Sequence, residues 1–498
     1  MFRYLKNIST QLYKLYKINR IINRIHSIGN EQCSDDLHIK HFQELKEQIF
    51  SCGSIYIKFF QWYISKLKSN TSIENSNLVF DKFVKYCEDI FENCPYHNLE
   101  YTLDSFKEMM PDIDIDSYIN MSTLKEIASG SIGQIYYAKT LEGQEIAIKV
   151  KHPNIDTDLE NQKELVNIIK WLQSFDYLKK KFKLFFNIDD FLYDINLQCN
   201  FNNEALNNKK FQENFKDSSK YIVLPKILFQ SKDLLISEYI SGNDFNNLTD
   251  FQKSQATINF VCFFYQMLFI DNWIHGDLHC KNWKVRTITD NDKEEVQLVI
   301  YDCGICFENI NNELTRDFWF AIGTYDIDKL TEVIKKFIIS YNDEIDDKNL
   351  ENDLKTLLKN LESNGLSLSI VMKSIITFFS NHNIMIHKFL LNFSILLCLI
   401  EDFFKKNDVI NCDSTKEFYN KMNMYNLINE SQLDVIAFTE TKNCFKKVGD
   451  IFKENSKKKY ENYTDNLKKN NINEKANRKL FTTLDYSTLK FTPIIEED

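Results

Sequence analysis

The sequence predicts an α+β chain with two lobes, a strand-rich one followed by a larger and largely helical one, with a helical extension ahead of both. Three observations predict it. Short runs with strand character begin only near residue 121 and cluster between there and 242. Long apolar runs with helical spacing fill the stretch after Gly242. One further strand pair interrupts that helical half and ends at Asp302. The division that follows is 1–120 for the extension, 121–242 for the first lobe, 243–452 for the second and 453–498 for a charged tail.

Taken in order, residues 1 to about 120 read as helices, with breaks near Ser69–Asn77 and Pro95–His97. Gln134–Ala138 and Glu145–Val150 are β-rich runs on either side of a Glu142-Gly143 turn, which makes a hairpin. Two helices follow, about Asp156–Phe175 and Asp189–Phe215, and then two strand candidates, Tyr221–Leu224 and Leu234–Tyr239. Beyond Gly242 the stretch Thr257–Asp271 is a strongly apolar helix. His275–Asn282 forms a turn, and the hairpin after it has a polar tip at Thr289–Glu295. Its return strand, Gln297–Tyr301, runs directly into Asp302. Residues 313 to about 445 read as helical, and the tail from about 453, rich in Lys, Asn and Glu, as disordered.

Composition narrows the function classes. Hydrophobic residues at 43% and charged residues at 27% exclude wholesale disorder. A net charge of −10 argues against a general nucleic-acid binder, so no nucleic-acid partner is expected. The twelve cysteines are scattered. Cys303 and Cys306 form a CxxC, but no second pair or nearby histidine completes a zinc set, and the reading is reduced thiols in an intracellular protein. No segment reaches the roughly 18 apolar residues that span a bilayer. The first 30 residues carry Arg3, Lys6, Lys14, Lys17, Arg20 and Arg24 with no acidic residue, and Leu5, Ile8, Leu12, Leu15 and Ile22 recur at near-helical spacing. That pattern fits a basic amphipathic helix, serving membrane-surface contact or targeting, or packing on the rest of the protein. The expected location is intracellular, soluble or peripheral on a membrane.

The residues that carry chemistry stand in one order along the chain. Ile127, Ala128, Ser129, Gly130, Ser131, Ile132, Gly133 and Gln134 form a small-residue loop before the first strand, where backbone N–H groups can approach phosphates. Lys149 lies in the Ile-Ala-Ile-Lys strand, at the placement of a lysine that contacts the α- and β-phosphates. Such a lysine needs an anionic partner, and Glu204 on a later helix is the candidate. In His275-Gly-Asp-Leu-His-Cys-Lys-Asn282, Asp277 and Asn282 have the spacing at which the aspartate faces the nucleophile while the asparagine reaches metal; His275 braces the loop. Asp302, at the end of a hydrophobic strand, would hold the metal that bridges the phosphates. Oxygen ligands of this kind suit Mg²⁺. Ile135 and Glu238 complete the candidate nucleotide-binding set, and ATP with Mg²⁺ is the expected cofactor pair. After Asp302 the chain passes into a helix near Leu314 without a peptide-docking loop, which favours a small molecule, a lipid or ATP hydrolysis.

These motifs resemble the UbiB/ADCK family of atypical, protein-kinase-like proteins associated with coenzyme Q biosynthesis. The resemblance covers roughly residues 50–340. It rests on Ala128–Gln134, on Ile146-Ala-Ile-Lys-Val-Lys-His-Pro153, on Asn200–Phe215 with Glu204 in the partner position, and on His275–Asn282 with Asp302-Cys-Gly304. It implies a bilobal, protein-kinase-like fold, a quinone or lipid precursor as partner, and a mitochondrial location in a eukaryote. The family's N-terminal K-x-G-Q helix, which folds over the nucleotide pocket, matches Lys58 and Gln61, with Phe60 in place of the glycine. The family's E-x-D carboxylates are here Gln198 and Asn200, amides that cannot make a charged contact with Lys58. The family's alanine-rich loop is more glycine-like here, which bears on nucleotide preference. Two other readings stay open: a small-molecule kinase resembling aminoglycoside and choline kinases, which share the H-G-D-L-H-x-x-N loop, and a nucleotide-binding regulator without turnover.

Overall fold

A computed structural model describes residues 35–50, 94–161 and 188–406, apart from 280, 291–292, 310, 325, 341–346, 364–367 and 383; before residue 94 it also describes scattered positions, Lys58 and Phe60 among them. The first continuous element is α1 (Asp35–Phe50). Arg24 and Lys17 of the basic segment reach onto this region, Arg24 Nη2 to Glu44 Oε2 at 2.9 Å and Lys17 Nζ to Ser51 Oγ at 2.7 Å. Arg20 is helical and exposed; the calls on Arg3, Leu5, Lys6, Ile8, Leu12, Lys14, Leu15 and Ile22, the break at Ser69–Asn77, Gln61, the expected helical stretches over 162–175 and 407–445 and the tail 453–498 lie outside the described residues.

The strand-rich half is introduced by α2 (Leu99–Met109), whose start is fixed by Asn98: its side chain accepts the Tyr101 N–H, one of the donors a helix leaves free at its N-terminus. A short α3 (Ile115–Tyr118) leads into β1 (Ile119–Ser129), β2 (Gly133–Thr140) and β3 (Glu145–Lys151). Gly143, at φ +89°, turns β2 into β3, a conformation that glycine adopts without strain. Along β3 the residues Ile146, Ile148 and Val150 are fully buried on one face, so the two-residue period sends Lys149 to the other. Residues 155–161 are helical, and α4 (Ile188–Gln198) and α5 (Phe201–Asn214) follow. β4 (Ile222–Val223), β5 (Ile227–Gln230) and β6 (Leu234–Glu238) complete this half. Five strands form one antiparallel sheet in the order β1-β2-β3-β6-β5. Its inner face packs Ile146, Ile148, Val150, Leu234 and Ile236 against Phe106 of α2.

The helical half opens with α6 (Asp250–Tyr265), which ends in a π-helical turn, Gln266–Ile270. β7 (Trp273–His275) pairs with β10 (Cys306–Glu308), and the hairpin β8 (Trp283–Asp290)–β9 (Lys293–Ile300) lies between them in sequence. β4 joins that hairpin, pairing in parallel with β9. Then come α7 (Asn312–Thr324), α8 (Ile327–Lys335), β11 (Ile338–Ser340), α9 (Asp347–Ser363), α10 (Leu368–Asn381), β12 (Met385–Ile386) and α11 (Lys388–Lys406). One large core unites them, with Phe260, Phe263, Phe264, Phe318 and Trp319 among its largest fully buried side chains. Each buried phenylalanine stabilises by about 1.5–3 kcal/mol relative to exposure.

The chain thus has a protein-kinase-like, α+β fold. Several details differ from the sequence reading, among them the short strands β11 and β12, which pair within a stretch expected to be helical. Ile127, Ala128 and Ser129 belong to β1 and Gly133 and Gln134 to β2, so the expected loop is reduced to residues 130–132. The expected helix Asp189–Phe215 is two helices, because Asn200 takes extended backbone (φ −119°, ψ 104°) and caps α5 through its side chain. β5, not expected, forms the far edge of the main sheet.

Candidate nucleotide and metal site

Lys149 is the meeting point of three elements. From β3 its Nζ donates to Glu204 Oε2 on α5 at 2.7 Å and to Asp302 Oδ2, just after β9, at 3.1 Å. Glu204 arrives there because α5 turns Phe201, Glu204, Ala205, Asn208 and Phe211 inward, a buried stripe at helical spacing. The Lys149 ammonium also lies 5.1 Å from the centre of the Phe201 ring. Burial opposes the charge on Lys149, but Asp302 and Glu204 overcome it and hold the ammonium above the ordinary lysine range. Burial pushes Glu204 up to about 7, helped by the Asp302 charge and opposed by Lys149. For Asp302, desolvation is outweighed by the Lys149 charge and the Gly304 N–H, and its carboxyl sits well below the usual range.

The Asp302 carboxylate has a divided task. Oδ1 accepts the Gly304 N–H at 2.7 Å, while Oδ2 faces Lys149, and the side chain keeps 40% of its surface exposed. Gly304 leaves room for that bond, since a Cβ there would stand 2.9 Å from Asp302 Oδ1 and the carboxylate would have to shift. Asn207, one turn along α5 from Glu204, donates from Nδ2 to the Cys303 carbonyl at 2.9 Å. Sequence reasoning missed this second tie, although the i,i+3 spacing from Glu204 places both side chains on one face. Cys303 and Cys306 are free thiols.

The loop after β7 is held by His275. Its buried ring donates from Nε2 to the Asp302 carbonyl and accepts the Asp277 N–H on Nδ1 at 3.2 Å, so it is a neutral imidazole protonated at Nε2. Asn282 Nδ2 donates to the Asp277 carbonyl at 2.8 Å, which leaves its Oδ1 as a candidate oxygen ligand. The Asn282 carbonyl accepts the Tyr301 N–H at 3.0 Å, setting Asn282 beside the residue that precedes Asp302. Asp277 Oδ2 lies 3.8 Å from His279 Nε2 and 3.9 Å from Lys58 Nζ.

Lys58 stands in a helical turn whose Tyr56, Ile57 and Phe60 are buried; Phe60, in the glycine position of the K-x-G-Q pattern, is packed completely inside. Gln198 Nε2 donates to the Asp194 carbonyl at 3.2 Å, and Asn200 Oδ1 accepts the Asn202 N–H at 3.1 Å. Both amides therefore serve local backbone bonds.

The remaining candidates surround the β1–β2 turn. The Gly130 N–H donates to the Gly133 carbonyl at 2.9 Å, closing the turn over Ser131 and Ile132. Ser129, Ser131 and Gln134 are buried, and Gln134 spends its side chain on the His97 N–H and the Tyr136 hydroxyl. Gly133 is a packing glycine: a Cβ would come within 2.8 Å of the Val150 carbonyl oxygen and 3.1 Å of Phe201. Ile127 is 42% exposed, and Ile135 pairs with Lys149 across the sheet. Glu238 closes β6, its Oε2 accepting the Lys226 N–H at 3.2 Å. The structure therefore gathers Lys149, Glu204 and Asp302 directly, and Asp277, Asn282 and Lys58 around one loop.

Among the described residues no group of three or more His, Cys, Asp or Glu side chains forms a metal cluster. Asp302 Oδ2 and Asn282 Oδ1 are hard oxygen donors, and two such ligands suit a Mg²⁺ that takes its remaining ligands from phosphates and water. The residues fit the group.

Residues 92–334 match the ABC1 atypical kinase-like domain. The chain is 26% identical over 260 residues to the probable serine/threonine-protein kinase abkC of Dictyostelium discoideum, covering 51% of this chain and 36% of that protein. It is 26% identical over 278 residues to the ABC1 family protein YPL109C, mitochondrial, of Saccharomyces cerevisiae, covering 50% and 40%. A solved structure of Rv3197 from Mycobacterium tuberculosis is similar at a TM-score of 0.36 and 16% identity, over 53% of this chain and 66% of that one. The chain spans well under half the length of the two curated relatives. By these matches residues 92–334 are similar to the ABC1 atypical kinase-like domain.

Proposed function

We propose that the chain binds ATP with Mg²⁺ and works as an atypical kinase or ATPase. The observation that carries this reading is Lys149 bonded at once to Glu204 and Asp302. Phosphoryl transfer requires oriented phosphates and neutralised charge more than covalent help. Lys149, kept charged and aimed by Glu204, would hold the α- and β-phosphates, and the residue 130–132 turn would cover them. Asp302 and Asn282 would hold Mg²⁺, which neutralises charge on the transferring group. Asp277, on the loop braced by His275, would orient the acceptor or a water.

The acceptor is proposed to be a small molecule, a lipid such as a quinone precursor, or water. The support is that β10 pairs back onto β7 straight after Gly304 and α7 starts at Asn312, leaving no extended platform for a peptide. No described helix is long and apolar enough to cross a membrane, and a lipid acceptor would call for peripheral contact. A mitochondrial setting accords with the name of the yeast relative.

The test is a thermal-shift titration with MgATP and MgADP, together with ADP release with and without liposomes. Wild type should be stabilised in a Mg²⁺-dependent way. Asp302→Ala should lose that stabilisation, and Asp277→Asn should keep it while ADP release stops. A Mg²⁺-dependent shift that survives in Asp302→Ala overturns the assignment.

A further inference from the structure

Beside the β1–β2 turn a chain of hydrogen bonds joins buried His152 to half-buried His97, far apart in sequence. His97 Nδ1 and His152 Nδ1 are 2.7 Å apart, with the rings edge-on at 4.9 Å and 85°. His152 Nε2 lies 3.0 Å from the Gly130 carbonyl and 3.4 Å from Ser129 Oγ. His97 Nε2 is 2.9 Å from Thr102 Oγ1, which is 2.8 Å from the Tyr136 hydroxyl. Gln134 Nε2 reaches that hydroxyl at 2.6 Å, and Gln134 Oε1 accepts the His97 N–H at 2.9 Å.

The direction of every bond follows from one end. A carbonyl only accepts, so His152 carries its proton on Nε2 and gives it to Gly130. The neutral ring then offers a lone pair at Nδ1, and His97 must donate from its own Nδ1. His97 Nε2 is left as an acceptor and takes the Thr102 proton; Thr102 takes the proton of Tyr136, and Tyr136 accepts from Gln134. Ser129 Oγ donates to the Pro95 carbonyl at 3.3 Å, which leaves it as a second acceptor for His152. Each donor is used, and the chain runs from Gln134 to the backbone of the turn.

Protonation breaks this order. A cationic His152 presents Nδ1–H to His97, which must then turn its proton toward Thr102. Thr102 in turn donates to Tyr136, whose oxygen already accepts from Gln134, so the tyrosine proton is left without an acceptor in the network. Tyr136 is almost completely buried, so that loss is not repaired by solvent. The titratable groups facing the pair are each other, Tyr136 on β2 and Tyr101 on α2, the last edge-on to His97 at 5.0 Å.

We infer that His97 and His152 are positioning residues for the turn 130–132, which they lock to residues 94–97 and α2 as neutral imidazoles and release when either takes a proton. The inference rests on the nucleotide reading for what the turn covers, though not for the lock itself. Burial, with His152 nearby, pushes His97 down to about 4, and burial also lowers His152, in keeping with a network built for neutral rings.

The experiment uses the full chain as wild type, His152→Gln, His152→Ala and His97→Asn. Glutamine keeps a donor at the Nε2 position and cannot titrate; asparagine does the same for Nδ1. The Kd for MgADP is followed as pH falls from about 6.5 toward 4, and wild-type affinity should weaken there by up to about tenfold per pH unit. His152→Gln should flatten that slope, and His152→Ala should bind weakly throughout. Titration of the nucleotide's own phosphates is common to all variants. In the free protein, imidazole nitrogen shifts should report His152 protonated at Nε2 and His97 at Nδ1. Deuterium uptake of the peptide 127–135 in acid should be faster in wild type than in His152→Gln or His97→Asn. Equal uptake, or the opposite tautomers, overturns the lock. Absence of MgADP binding at every pH sinks the nucleotide reading and leaves the tautomer and uptake measurements to decide the lock alone.

Discussion

Lys58 Nζ stands 3.9 Å from Asp277 Oδ2, joining the N-terminal segment to the loop that carries the candidate catalytic carboxylate. Both side chains keep part of their surface in solvent, and a loose, partly exposed ion pair contributes little stability. Lys58→Met should therefore lower Tm by less than about 3 °C while changing ADP release several-fold. A large loss of Tm with unaltered release would assign the lysine to structure alone.

The Glu204 contact should behave differently. The carboxylate is buried and Lys149 depends on it for alignment, so Glu204→Ala leaves a buried ammonium with Asp302 as its remaining partner. A loss of about 3–5 kcal/mol is expected from removing one member of such a pair. Glu204→Gln, which keeps an oxygen acceptor, should lose less. Chemical denaturation of both variants decides the matter, and equal losses would contradict the share assigned to the retained oxygen acceptor.

Two glycines of one turn predict opposite outcomes. A Cβ at Gly133 would meet the Val150 carbonyl oxygen at 2.8 Å, so Gly133→Ala should cost about 1–3 kcal/mol. At Gly130 the nearest atom is the Gly133 carbonyl oxygen at 3.6 Å, an ordinary contact. Gly130→Ala should be neutral or stabilise by about 0.4–1 kcal/mol, because alanine restricts the unfolded chain. Denaturation midpoints that fall equally in the two variants would refute the distinction.

Acid should weaken the fold through His387 and His97. His387 donates its backbone N–H to the Phe337 carbonyl and accepts the Phe389 N–H on Nδ1, and burial, with Lys388 adjacent, pushes it down to about 4. His97 is pushed down to about 4 as well. With folded values below the unfolded one, the unfolded chain binds protons that the folded chain refuses. Their contribution is present above the unfolded value of about 6.5 and is lost as pH falls toward 4, at up to about 1.4 kcal/mol per pH unit per group. Tm measured against pH should fall through that window, less steeply in His387→Gln. A flat profile there would show that these rings are not held neutral.

Lys149 was legible because Ile146, Ile148 and Val150 alternate with it, and a two-residue period leaves one place for the lysine to face. The β8–β9 hairpin was legible for the same reason, with a polar tip between two apolar arms. β1 was not, since its sequence mixes polar and apolar residues on both faces and its pairing with β2 shifts register twice. The split between α4 and α5 hung on one asparagine in a polar stretch. The bonds of His97 and His152 were out of reach of any local pattern, because the two stand 55 residues apart and meet only through the sheet.

β4 has a consequence for motion. Residues 222–223 pair in parallel with β9, while 227–230, only a few positions on, lie in the main sheet. The Leu298 N–H to the Tyr221 carbonyl, and Gln297 Nε2 to the Lys220 carbonyl, extend that seam, and the Tyr301 hydroxyl bonds the Ile240 carbonyl nearby. The two halves are thus sewn together at a second place besides the connection after β6. Swinging one half away from the other would shear this ladder, so a wide hinge opening is disfavoured. Traffic into the site should instead depend on smaller pieces, the segment bearing Lys58 beside Asp277 and the 130–132 turn proposed to cover the phosphates.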